Sequence, residues 1–198
     1  MNPRYKENIL TLLTLLESKR TFTLPQLVSL HPAEVSERTL QRYIKELRGI
    51  YGFTFKQSAK GMVALMQDGY TTALSRFLKN YFAERVYPPV HGEIIEKHIY
   101  EALEKHSAPA RLMQTILSAI RSSRNLTFHY RPQHPETRRK VASQKIRKAA
   151  CDVPQGFISV TMLPVGLSFG GDLFLVLGET LRHEGECVLR QYAVRGMQ

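Results

Sequence analysis

Ser36-Glu37-Arg38-Thr39-Leu40-Gln41-Arg42-Tyr43-Ile44-Lys45-Glu46-Leu47 is the stretch on which the reading of this chain turns. Ser36 is a good N-cap, and Glu37 suits the positive end of the helix that follows. On a wheel advancing about 100° per residue, Leu40, Tyr43, Ile44 and Leu47 fall within one arc of about 100°. Arg48, Gln41, Lys45, Arg38 and Arg42 fill the opposite arc, from about 80° to about 200°, with no carboxylate among them. An ordinary solvated helix mixes signs on its outer face. Arginine and glutamine also carry donors that match guanine and adenine edges in the major groove.

Towards the N-terminus, Ile9, Leu12, Leu13, Leu15 and Leu16 recur near helical spacing and predict a helix over 4–18. Thr23 can cap a second helix with Pro25 in its first turn and Leu24, Leu27, Val28 and Leu30 along it, until His31-Pro32 break it. Towards the C-terminus, Phe53-Thr54-Phe55-Lys56 alternates like a strand, Ser58-Ala59-Lys60-Gly61 turns, and Met62-Val63-Ala64-Leu65 runs back. Three helices followed by a basic-tipped hairpin predict a winged helix-turn-helix over 1–69. Its third helix would enter the groove, and Lys56 and Lys60 would touch phosphate. The candidate DNA-binding set is Ser36, Arg38, Thr39, Gln41, Arg42, Lys45, Arg48, Lys56 and Lys60. The motif Ser36 to Leu47 resembles the recognition helix of bacterial winged-helix regulators of the DeoR and WYL type, which read S-x-R-T-[IL]-x-R-[DY]-[IL]-x-x-L.

Residues 70–108 read as a helical connector. Leu74, Phe77, Leu78, Tyr81 and Phe82 mark one helix over 71–84, Pro88-Pro89 break the chain, and Ile94, Ile95, Ile99 and Leu103 mark a second over 92–106. Leu112, Ile116, Leu117 and Ile120 mark a third over 109–122. Such stripes serve a core or a dimer interface, and a homodimer suits palindromic operators. His91, His98 and His106 lie too far apart for a zinc site, so no metal is expected.

Beyond Arg121, Leu126-Thr127-Phe128-His129-Tyr130 alternates as a strand and a basic run from Arg138 to Lys148 follows. Strands over 156–162 and 163–169, a turn at Gly170-Gly171-Asp172, and strands over 173–178 and 187–194 predict a compact, strongly bent sheet or small barrel. The order resembles the WYL domain over most of 112–197. The counterparts are Ala119-Ile120-Arg121, Phe128-His129-Tyr130, Pro164-Val165-Gly166-Leu167, Leu173-Phe174-Leu175 where the family has W-Y-L, and Tyr192-Ala193-Val194-Arg195-Gly196-Met197. The resemblance implies an Sm-like, SH3-type β-barrel over 109–198 that senses a ligand, often a nucleotide or single-stranded nucleic acid. Leu173 and Phe174 forfeit the indole and hydroxyl of the family tripeptide, and Ala193 replaces an arginine some members carry. Candidate effector-binding residues are His129, Tyr130, Arg138, Arg139, Lys140, Phe174, Arg190 and Tyr192, with Tyr192 equally suited to the core.

The charge supports two anion-binding modules. Among 198 residues, 28 are Lys or Arg and 17 Asp or Glu, a net charge of +11. Residues 1–70 hold 10 cations against 6 acids, 71–108 hold 5 against 5, and 109–198 hold 13 against 6. Such a field recruits polyanions, nucleic acid foremost. No apolar run reaches the roughly 18 residues of a membrane helix, no signal-peptide core follows Met1, and two cysteines make no disulfide scaffold, so a cytoplasmic, membrane-free protein is expected. Acids after residue 109 fall mostly in turns, and no phosphate loop or catalytic cysteine setting exists, so neither enzyme activity nor a cofactor is expected. The sequence thus reads as an α+β transcriptional regulator, repressor rather than activator, that binds double-stranded DNA and an anionic effector. A protein-interaction adaptor and a single-stranded RNA-binding protein are the alternatives built on the same folds.

Overall fold

A computed structural model describes residues 3–18, 21–58, 61–82, 92–131, 157–170, 173–181 and 187–197. The chain divides into two compact units, Met1–Thr115 and Ile116–Gln198. It is a mixed α+β protein with six α-helices and two antiparallel sheets among the described residues. No helix among those residues is long and apolar enough to cross a membrane.

In the first unit, helices α1 (Pro3–Leu16), α2 (Leu24–Leu30) and α3 (Glu37–Glu46) precede strands β2 (Phe55–Gln57) and β3 (Met62–Leu65). A two-residue strand β1 (Phe22–Thr23), too short to leave a periodic trace, pairs with β3 and completes a sheet of order β1-β3-β2. Thr23 caps α2 with a full capping box. The Gln26 N–H donates to Thr23 Oγ1 at 3.4 Å, and the Thr23 N–H donates to Gln26 Oε1 at 2.8 Å. Pro25 occupies the first turn, where its missing N–H costs nothing. Beyond Glu46 the helix does not stop but widens into a π-helical turn, Leu47–Tyr51, which Gly52 closes at φ +80° with an N–H to the Leu47 carbonyl. Helical spacing alone did not foretell that widening.

Helices α4 (Tyr70–Phe82) and α5 (Gly92–Leu103) belong to the same unit. The aromatic stripe of α4 is core: Leu74, Phe77, Leu78 and Tyr81 are buried, and the Tyr51 and Phe77 rings meet edge-on at 5.2 Å. Helix α6 (Pro109–Ser122) begins in the first unit and contains the division between the two. Its start is held by Glu17, immediately after α1. Glu17 Oε1 accepts from the Ala110 N–H and the Tyr70 hydroxyl, both at 2.8 Å, and Oε2 accepts from the Arg111 N–H at 3.0 Å. A carboxylate therefore satisfies two of the orphan donors that open any helix. Burial pushes the Glu17 carboxyl above its ordinary range, against the pull of these hydrogen bonds and of the Arg111 charge. Burial also raises the Tyr70 hydroxyl, and the Glu17 charge adds to the rise.

The second unit holds a four-stranded antiparallel sheet of order β4-β5-β6-β7: Leu126–Tyr130, Ile158–Gly170, Leu173–Leu181 and Cys187–Ala193. The two strands expected over 156–162 and 163–169 are one long strand, β5. Its first half pairs with β4 (Phe128 opposite Val160) and its second with β6 (Ser168 opposite Leu175), with a register shift between Pro164 and Gly166. The described strands do not close a barrel. After Ala193 the backbone turns into a short 3₁₀ segment, Val194–Gly196, and meets β4 through a single Tyr130–Met197 bridge and an Arg131 N–H to the Gly196 carbonyl at 2.9 Å. Gly178 lies opposite Pro164, where a Cβ would sit 2.7 Å from the Leu163 carbonyl oxygen and 3.0 Å from Pro164 Cα, so two backbones cross where only glycine fits.

Candidate nucleic-acid interface

Helix α3 is positioned from three sides. Beneath it, Leu40, Tyr43, Ile44 and Leu47 are buried at 4% exposure or less, the four residues that helical spacing placed on one stripe. At its start Ser36 is extended (φ −76°, ψ 160°), and its Oγ accepts from the Thr39 N–H at 3.2 Å while lying 2.9 Å from Thr39 Oγ1. Before it, the turn from α2 is pinned by buried His31. The His31 Nδ1 accepts from the Ala33 N–H at 3.3 Å, which leaves Nε2 to donate to the Asn8 carbonyl at 3.0 Å. No periodicity argument flagged His31, which the sequence marks only as the residue before Pro32.

On the outer face Arg38, Gln41, Arg42, Lys45 and Arg48 are all exposed, Ser36 is exposed and Thr39 is half-buried. The only carboxylate deeper in this helix, Glu46, is turned towards α1, where it accepts a short hydrogen bond from the Tyr5 hydroxyl. Burial, and then the Glu46 hydrogen bond and charge, push the Tyr5 hydroxyl up to about 12. The other Glu46 oxygen, Oε1, is buried with no hydrogen-bond partner among the described residues. Tyr5 was not singled out in the sequence, yet it organises this edge of the helix. Its ring meets Tyr43 edge-on at 5.0 Å, and the Arg42 guanidinium lies over it at 5.2 Å. At the other edge the Arg48 guanidinium lies over the Phe55 ring at 5.9 Å. Lys56 is exposed on β2, paired with Ala64 of β3. Lys60 lies outside the described residues.

The second candidate site is partly core. Phe128, Tyr130 and Tyr192 form an aromatic trio with centroid separations of 5.1 Å to 6.4 Å, each pair edge-on. Tyr192 and Phe174 are buried, and Tyr130 is half-buried. Burial raises the Tyr130 hydroxyl, opposed by a hydrogen bond with the Ala193 backbone and by the Arg195 charge. Gly196 lets the Tyr130 ring approach: a Cβ there would stand 2.7 Å from Tyr130 Cε2. His129 is half-buried on the other face of β4, and Arg190 is exposed on β7. No hydrogen bond or ring contact among the described residues joins either to the trio. Arg138, Arg139 and Lys140 lie outside the described residues. Phe128, absent from the candidate set, was legible as the partner two residues before Tyr130 on one strand face.

The chain matches no protein-family model, and comparison with curated proteins finds no relative.

Proposed function

We propose that the chain is a DNA-binding transcriptional regulator whose C-terminal module responds to an anionic effector. In this reading α1–α3 and the β2–β3 hairpin are a winged helix-turn-helix, α3 lies in the major groove, and Lys56 of the hairpin touches phosphate. The C-terminal sheet is read as an open relative of the Sm-like WYL barrel, with the basic run at Arg138, Arg139 and Lys140 as its effector contact. The observation that carries the reading is the sorting of α3: four apolar side chains buried below, and four cations and a glutamine exposed above, with Glu46 withdrawn against α1. Beyond Glu37 in the first turn the exposed face carries no acid, an exclusion that solubility alone does not require.

Binding of the full chain to duplex DNA at several salt concentrations tests the proposal. Arg38→Ala together with Arg42→Ala is expected to weaken binding by at least about tenfold. Unchanged binding would sink the DNA reading and leave the same surface to protein contacts.

A further inference from the structure

The basic face of α3 is not uniform, and the difference lies in what each cation rests on. Arg42 marks one border of the exposed arc and Arg48, in the π-helical turn that continues α3, the other, with Lys45, Arg38 and Gln41 between them. Both border residues lie over aromatic rings from neighbouring elements: Arg42 over Tyr5 of α1, and Arg48 over Phe55 of β2. None of the three central residues has a ring beneath it among the described residues. A ring beneath a guanidinium restricts its side chain while leaving N–H groups for another partner, and so lowers the ordering cost of a later contact. Neither border arginine is in an ion pair among the described residues.

A groove has phosphate walls at its edges and base edges along its floor. We propose that Arg42 and Arg48 are pre-set phosphate clamps, one for each wall, and that Tyr5 and Phe55 are their positioning residues, while Arg38, Gln41 and Lys45 read bases. The assignment rests on the DNA-binding reading above and divides its labour. It makes Tyr5 part of the interface although its hydroxyl is committed to Glu46.

The test uses the full chain, a duplex recovered by that chain from a randomised pool, and the same duplex with its sequence scrambled. Arg42→Ala and Arg48→Ala are each expected to weaken both duplexes alike, by about threefold to tenfold, and to lower the log–log salt slope by about 1. Arg38→Ala and Gln41→Ala are expected to narrow the gap between the duplexes, by about tenfold each. Tyr5→Leu removes the platform and is expected to weaken both duplexes by about threefold to fivefold, with no further loss in the Arg42→Ala background. Tyr5→Phe keeps the ring but releases Glu46, so it is expected to lose clearly less than Tyr5→Leu does.

Border variants that narrow the gap, a Tyr5→Leu loss that adds fully to that of Arg42→Ala, or a Tyr5→Phe loss as large as that of Tyr5→Leu would each overturn the assignment while leaving DNA binding intact. A parent chain that binds both duplexes equally also overturns it. A parent chain that binds no duplex removes the regulator reading and this assignment together.

Discussion

Helix α3 and the C-terminal sheet are both built from alternating apolar and polar residues, yet they are held in different ways. The orientation of α3 follows from residues three and four apart, and the cap at Ser36 acts across three residues. The sheet depends on partners far apart in the chain: Phe128 pairs with Val160, and Tyr130 reaches Met197. Local order can be read from a short window. Order set at a distance also demands close approaches, as at Gly178, that no window contains.

The contrast is sharpest where it fails, at Glu17. This residue sits directly after α1, but its partners, Tyr70, Ala110 and Arg111, lie 53 to 94 residues away. Glu17→Ala strands three donors and is expected to cost about 3 kcal/mol, the largest effect foreseen, measured as a fall in the urea midpoint. A loss under about 0.5 kcal/mol would mean the clamp is dispensable and the first unit as local as α3 suggests. Glu17→Gln gives the pH arm. The folded carboxyl is raised above its ordinary 4.5, so its contribution is full below that value and is lost as pH rises through the folded pKa. The stability gap between the parent chain and Glu17→Gln is therefore expected to widen as pH falls from neutrality towards 4.5. A gap that narrows instead would show that the hydrogen bonds outweigh burial.

Gly178→Ala probes the other side of the comparison. The added methyl meets the Leu163 carbonyl oxygen and Pro164 Cα, which are backbone and cannot rotate away. A cost of about 2 kcal/mol is expected, read as faster amide hydrogen exchange along β5, β6 and β7 with exchange in α3 unchanged. Equal acceleration in α3 would show that the two regions do not respond independently.

The same distinction explains what the sequence disclosed. Thr23-Leu24-Pro25-Gln26 carries a start written in four residues, and α2 begins there; apolar spacing from Leu112 to Ile120 gave α6 its bounds; Phe128 and Tyr130 gave β4 its face. The basic face of α3 was legible for the same reason. Glu17 and Tyr5 were not, since the sequence shows a charged and an aromatic residue on an amphipathic helix and nothing of Ala110 or Arg42. Nor was the continuity of β5: the strands expected over 156–162 and 163–169, with Pro164 inside the second, are one, and the register shift beside Pro164 admits its ring. The hidden half of the candidate interface is thus the half supplied by other elements: the rings under Arg42 and Arg48.

The smallest effect foreseen returns to the local side. Ser36→Ala removes the acceptor for the Thr39 N–H and is expected to cost about 1 kcal/mol in the urea midpoint, with no change in the exchange of the C-terminal sheet. Ser36→Asp separates the cap from the interface. Aspartate is as good a cap as serine and favours the positive helix end, so stability is expected to stay within about 0.5 kcal/mol of the parent chain. The same carboxylate stands two residues before Arg38 and five before Gln41, at the end of the proposed interface where it would repel phosphate. Duplex affinity is therefore expected to fall at least about threefold in Ser36→Asp while Ser36→Ala loses less, an order opposite to that of their stabilities. If the two variants bind in the order of their stabilities, the start of α3 points away from DNA and the helix docks by some other part of its face.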